Sequence, residues 1–138
     1  MMIFRLNSSK GLKICIVRAV QMKQNKDLAI DFLKLVVAGE VDEAYQRYVD
    51  MSGKHHNPFF HNGFPALKEA MKRNPAKQLT VKHALEDGDL VAVHSHVVLP
   101  AIDVAVVHLF RFKNGKIVEM WDVGQQNPKN SPNEDGAF

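Results

Sequence analysis

The chain has 138 residues, 46% of them hydrophobic and 24% charged, which is enough for one domain with a real core and too little for two. Its net charge of +3 arises in the leader, where Arg5, Lys10, Lys13 and Arg18 stand without any acid, and the rest is close to neutral. No basic face with interleaved aromatics is left to bind nucleic acid, and no apolar run nears the ~18 residues of a membrane span.

Residues 1–22 hold one short apolar piece, LKICIV, interrupted at Arg18 and followed by no small-residue cleavage pattern. They fit a secretory signal poorly and are expected to form a poorly ordered extension, with Met22 as the start of the compact domain. The single cysteine, Cys15, allows no intramolecular disulfide and fits a reducing cytoplasm.

Residues 23–38 place Leu28, Phe32, Leu35 and Val36 at helical spacing, with Gly39 as a stop. Residues 41–51 read as a second helix with Val41, Ala44, Tyr45 and Tyr48 inward. GKHHNPFFHNG (53–63) is rich in loop formers, punctuated by Asn57-Pro58 and Asn62-Gly63. FPALKEAMKRNP (64–75) reads as a short helix, with Pro65 in its first turn and Pro75 as its stop.

From residue 79 the period changes from helix to strand. Residues 79–86 alternate and end in Asp87-Gly88, a hairpin signal. Residues 90–99 follow as a strand, 102–112 as a long one closed by Asn114-Gly115, and 116–123 as its partner. The segment QQNPKNSPNEDGAF (125–138), with Pro128 and Pro132 and no periodicity, reads as extended or disordered. Three helices before an antiparallel meander make an α+β fold, expected as one domain over 23–128 with a tail over 129–138.

Alternation sorts the strand residues into faces. Leu90, Ala92, His94, His96 and Val98 share one face; Val104, Val106, His108, Phe110 and Phe112 share another. In the last strand Val118, Met120 and Asp122 lie opposite Ile117, Glu119, Trp121 and Val123. A two-residue Asn114-Gly115 turn puts Lys113 opposite Lys116, and strict pairing then sets Asp122 beside Val107 and His108 beside Trp121. A wider turn or a one-residue bulge would reverse this and bring His108 and Asp122 together.

Three segments carry a resemblance: HHNPFFHNG after a Tyr-rich helix, then EDGDLVAVHSHV, then HLFRFKNGKIVEMWDVGQQNP. In this order they resemble the SnoaL-like polyketide cyclases of the ketosteroid-isomerase and nuclear-transport-factor-two superfamily, over residues 23 to about 128. The resemblance implies a cone-shaped fold, a curved antiparallel sheet wrapped by three N-terminal helices around one apolar pocket, commonly a homodimer through the sheet. It implies acid/base chemistry without metal or organic cofactor, by an Asp of the last strand helped by His and Asn. Carried over, these are Asp122, His108 and Asn57, which requires a bulge or wider turn near 113–115. The chain departs from its relatives at Met120, where many have His, and at His108, where many have Asp.

An aldol-type condensation or a proton transfer alpha to a carbonyl needs a base and donors for the enolate oxygen. Asp122 is the candidate base, and an apolar wall of Trp121, Met120 and Phe110 would strengthen it. His108 and Asn57 are the candidate donors. His56, His94, His96, Phe59, Phe60 and Tyr48 are candidates to line the pocket. His55, His61 and His83 read as surface residues, and Asp103 as exposed. The ligand expected is a small apolar carbonyl compound. Two other readings stay open: a non-catalytic pocket domain, and a metal enzyme using His94, His96 and His108, whose H-x-H pair has metal-ligand types.

Overall fold

The computed structural model describes residues 22–76 and 78–138, and the expectations for residues 1–21 lie outside them. The first helix, α1, spans Asn25–Val37 and buries Ala29, Phe32 and Leu33. Gly39 follows at φ 87°. Its N–H donates to Val36 O and that of Glu40 to Leu35 O, the paired bonds of a Schellman ending, which needs a left-handed residue at this position. Helix α2 spans Val41–Tyr48 and buries the expected Val41, Ala44, Tyr45 and Tyr48.

The chain then departs from the expected pattern. Residues 49–51 are not helical, and Val49–His55 is a strand, β1, rather than part of a loop. Its burial shows no alternation, because it is an edge strand held by pairing with a neighbour that is distant in sequence. Helix α3 spans Phe64–Arg73, entered through Gly63 at φ 89°. The meander follows as β2 (Gln78–Asp87), β3 (Leu90–Val98), β4 (Asp103–Lys113) and β5 (Lys116–Gln126), in spatial order β1-β5-β4-β3-β2. The fold is α+β, three helices with a curved, unclosed sheet; four strands are antiparallel, as expected, and β1 adds a fifth, parallel to β5.

The β4–β5 hairpin decides which residues meet. Its turn is tight: Asn114 (φ 50°) and Gly115 (φ 73°) make a two-residue loop, and Lys113 stands opposite Lys116. The expected irregularity is not in the turn but inside the strand, where Phe112 pairs with Ile117 and Arg111 with Glu119. Val118 is the extra residue of this bulge. From there every later residue of β5 is shifted by one, and His108 pairs with Asp122. The bulge also turns Ile117 and Met120 inward together, though strict alternation separates them. Gly53 of β1 makes room for it: a Cβ there would meet the Val118 carbonyl oxygen and come 2.8 Å from the Phe64 ring.

The core lies between the helices and the inner face of the sheet. Tyr45, Phe64 and Phe110 are its largest fully buried members. Phe32 packs edge-on against Tyr45 and Phe110, with ring centroids at 5.3 and 5.9 Å. Beyond β5 the tail has no helix or strand. The Asn127 N–H donates to Asp103 O at 2.9 Å, and the Phe138 ring lies on the outer face of the sheet, 4.8 Å from the His96 ring centroid. Among the described residues no helix is long and apolar enough to cross a membrane.

Candidate functional site

Between the helices and the inner face lies a cavity of about 290 Å3, at the small end for ligand pockets. Its walls are Phe32, Leu33 and Val36 of α1, Leu67 and Met71 of α3, and Leu79, Val97, Val106 and Met120 of the sheet. Against this apolar lining stand a few polar side chains, among them Asp122, His108, Asn57 and Tyr45. The three residues expected to carry the chemistry are brought together, and a fourth joins them.

Asp122 sits on β5 after the bulge, facing inward beside its cross-strand partner His108. Asn57 comes from the loop after β1. Its Nδ2 donates to Asp122 Oδ2 at 2.7 Å, while its Oδ1 accepts the Phe59 N–H at 2.9 Å, which fixes the direction of the amide. Asp122 Oδ1 is buried and has no partner among the described residues. The same holds for His108 Nδ1 and the Tyr45 hydroxyl. Each such atom costs on the order of 1–3 kcal/mol to leave unpaired. Three of them among the lining of one small cavity make a set of hydrogen-bonding positions that the fold itself does not fill.

Their charge states follow from burial. Burial lowers the His108 pKa to about 4, opposed in part by the negative charge of Asp122, so the imidazole is uncharged at neutral pH. It can therefore donate or accept one hydrogen bond without bringing a charge. Burial, and then the Asp122 charge, raises the Tyr45 phenol well above its usual range, which keeps it a donor.

Several candidate residues are placed elsewhere. His94 pairs with Val107 and His96 with Ala105, whereas His108 pairs with Val93, so parity puts the first two on the outer face and His108 on the inner. The proposed trio of metal ligands is thus split across the sheet. Among the described residues no group of three or more His, Cys, Asp or Glu side chains is arranged to hold a metal. His94 instead meets His83, Nδ1 to Nδ1 at 3.1 Å, and His96 Nε2 donates to Asp103 at 3.2 Å. Trp121 is also on the outer face, stacked on His56 with centroids 4.8 Å apart, and supplies no wall for Asp122. His56 Nε2 donates to Glu119 at 2.8 Å there.

Phe110 is fully buried beneath the site, its ring parallel to that of His108, and belongs to the core. Tyr48 is also core, its hydroxyl 3.5 Å from Asp31, while Tyr45, one turn earlier, is the tyrosine that reaches the cavity. Met120 and Phe60 do line it. Phe59 is 87% exposed and does not.

Two useful residues escaped the sequence reading. Tyr45 was legible as inward but not as distinct from Tyr48, since both lie on the buried stripe of α2. His55 is buried rather than a surface residue, and it closes the loop that carries Asn57. Its Nδ1 accepts the Asn57 N–H at 3.2 Å, so Nε2 bears the hydrogen and donates to His61 O at 2.8 Å. A second cavity of about 340 Å3 lies against this loop, bounded by Pro58, Phe59, Phe60, His61, Ala66, Ala70 and Arg73.

The model of the SnoaL-like domain matches residues 29–120. The chain belongs to the SnoaL-like domain family. Asp122 lies just beyond the matched segment, so its place rests on the geometry above. Similar solved structures include an NTF2-like protein of unknown function from Cytophaga hutchinsonii, 16% identical, with a TM-score of 0.67 over 78% of this chain and 95% of that one. Another, from Burkholderia xenovorans and also of unknown function, is 18% identical, with a TM-score of 0.67 over 78% and 87%. An LEH-like epoxide hydrolase from M. tuberculosis is 14% identical, with a TM-score of 0.59 over 73% and 82%. At these identities the likeness is one of fold. No curated protein matches this SnoaL-like chain in sequence.

Proposed function

We propose that this SnoaL-like protein is an acid/base enzyme of the cyclase or isomerase type, moving a proton alpha to the carbonyl of a small apolar compound. The observation that carries this reading is the unpartnered Asp122 Oδ1 in an apolar cavity that also holds the unpartnered Tyr45 hydroxyl and His108 Nδ1. Asn57 holds Oδ2, which leaves Oδ1 to take the proton. The Tyr45 hydroxyl donates to the oxygen on which the enolate charge develops, where stabilisation has its largest effect. Uncharged His108 supplies a second hydrogen bond. The products of this half-reaction are the enolate and protonated Asp122; return of the proton to another atom gives isomerisation, and attack of the enolate on a second carbonyl gives the aldol. We further infer a homodimer through the sheet, whose outer face exposes Val107 and Val123; light scattering would reveal it.

The test uses solvent deuterium exchange at the alpha carbons of a panel of cyclic and open-chain ketones, followed by NMR. The expected result is exchange above the buffer rate for at least one ketone, abolished in Asp122→Asn while the fold is retained. Equal exchange by both proteins, or exchange by neither, would sink the mechanism. Binding of a ketone without any exchange would make the chain a pocket domain that only holds its guest.

A further inference from the structure

The two cavities share one wall. Phe60 lines the inner cavity of about 290 Å3 and also the outer one of about 340 Å3. Phe60 is carried by the loop whose ends are tied by His55 and whose Asn57 is bonded to Asp122. The two spaces therefore adjoin at this ring.

Their charges are opposite. Among the described residues of the inner lining, Asp122 is the one acidic side chain, and His108 is uncharged. An anionic group in that space would face the Asp122 carboxyl across a medium of low dielectric, with no counter-charge among the described lining residues. The outer lining contains no acidic side chain and one permanent cation, Arg73. Arg73 donates Nε–H to the backbone oxygen of Glu69 at 3.2 Å and forms no ion pair with any described carboxylate. Its remaining donors are free to form the charge-assisted, bidentate pair that a guanidinium makes with a carboxylate.

From this partition we propose that the site takes an elongated ligand in two parts, an apolar body with its carbonyl in the inner cavity and a carboxylate in the outer cavity on Arg73. Phe60 is the partition that sets the ligand's length. The orientation follows from electrostatics: Asp122 repels the carboxylate from the inner space and Arg73 holds it outside, so the carbonyl end is presented to the base. This deepens the catalytic reading given above, since it says which end of the substrate enters, but its evidence is the charge and shape of the cavities rather than turnover.

The probes are methyl-ketone carboxylates, CH3CO(CH2)nCO2−, with n rising from three to nine, and their neutral methyl esters. Dissociation constants would be measured by calorimetry at fixed ionic strength. The protein should bind the acid about two- to fivefold more tightly than the ester at a preferred n, the factor expected for one exposed guanidinium–carboxylate pair. Arg73→Ala should bring the acid down to the ester's affinity, and Arg73→Lys should restore part of the difference. Phe60→Ala should flatten the preference for one n. In Asp122→Asn the acid should still bind more tightly than the ester, because Arg73 remains, and loss of the preference in that variant would overturn the proposal. So would equal binding of acid and ester, a preference that survives Arg73→Ala, or no binding at any n. Loss of alpha-proton exchange chemistry with an intact acid preference would remove the catalytic reading and leave this one standing.

Discussion

The two faces of one sheet use the same residue types to opposite ends. On the outer face His83 meets His94, His96 meets Asp103, His56 meets Glu119, and Arg111 bridges Asp89 and Glu119. These polar groups have found partners within the chain, and such exposed pairs contribute little to stability. On the inner face Asp122, His108 and the approaching Tyr45 each keep a buried polar atom without one among the described residues. A histidine or an aspartate in a strand therefore says little by itself. What separates scaffold from site is whether the group is left unsatisfied where it lines a cavity, because there an unsatisfied buried atom costs free energy that a ligand can recover.

The largest effect expected is on catalysis. Asp122→Asn should lower ketone exchange by roughly 10²–10⁴-fold, the usual range for a general base. The same experiment on outer-face His94→Ala should give less than about a twofold change. A comparable loss in both would dissolve the distinction between the faces.

Tyr45→Phe should separate stability from activity. Removing an unpartnered buried hydroxyl should raise the unfolding free energy by about 1 kcal/mol. Exchange should fall on the order of 10²-fold, as when one oxyanion donor is lost. Denaturant melts and exchange rates on the same sample check both signs.

His108 makes the inner face sensitive to acid. Its pKa is about 4 in the fold, below the ordinary value of 6.5, so between these pH values the unfolded chain binds a proton that the native protein does not. Stability is therefore full above pH 6.5 and declines as pH falls towards 4, by up to about 3 kcal/mol at about 1.4 kcal/mol per pKa unit. His108→Asn should flatten that part of the pH–stability curve. An unchanged slope would mean that the ring is not held uncharged.

A last substitution tests the device that brings the faces into register. Gly53→Ala puts a methyl group against the Val118 carbonyl and the Phe64 ring, and should cost about 1–3 kcal/mol. If the bulge is displaced, Asp122 and His108 lose their pairing, and exchange falls together with stability. A neutral result would show that the bulge does not depend on this close contact.

The three helices, the four-strand meander and the Asn114-Gly115 hairpin were legible because each is written in local chemistry: a 3.6-residue or two-residue period, a left-handed glycine, a turn pair. The core tyrosines of α2 were legible as buried for the same reason. Strand β1 was not, since an edge strand with no apolar alternation takes its conformation from its partner β5. Trp121 looked like a pocket wall and Tyr48 like pocket lining because periodicity names a face without saying what that face meets.

Sequence alone determined the α+β class and the SnoaL-like kind of this chain, with Asp122 in a strand that ought to tolerate it badly. Tertiary structure decided whether that aspartate faces a site. A two-residue turn taken strictly sends it outward beside Val107, and the single extra residue Val118, accommodated against Gly53, turns it inward beside His108. With a side-chain period of two, one residue reverses every later position, and nothing local to β5 encodes that residue's need for a glycine some sixty positions earlier.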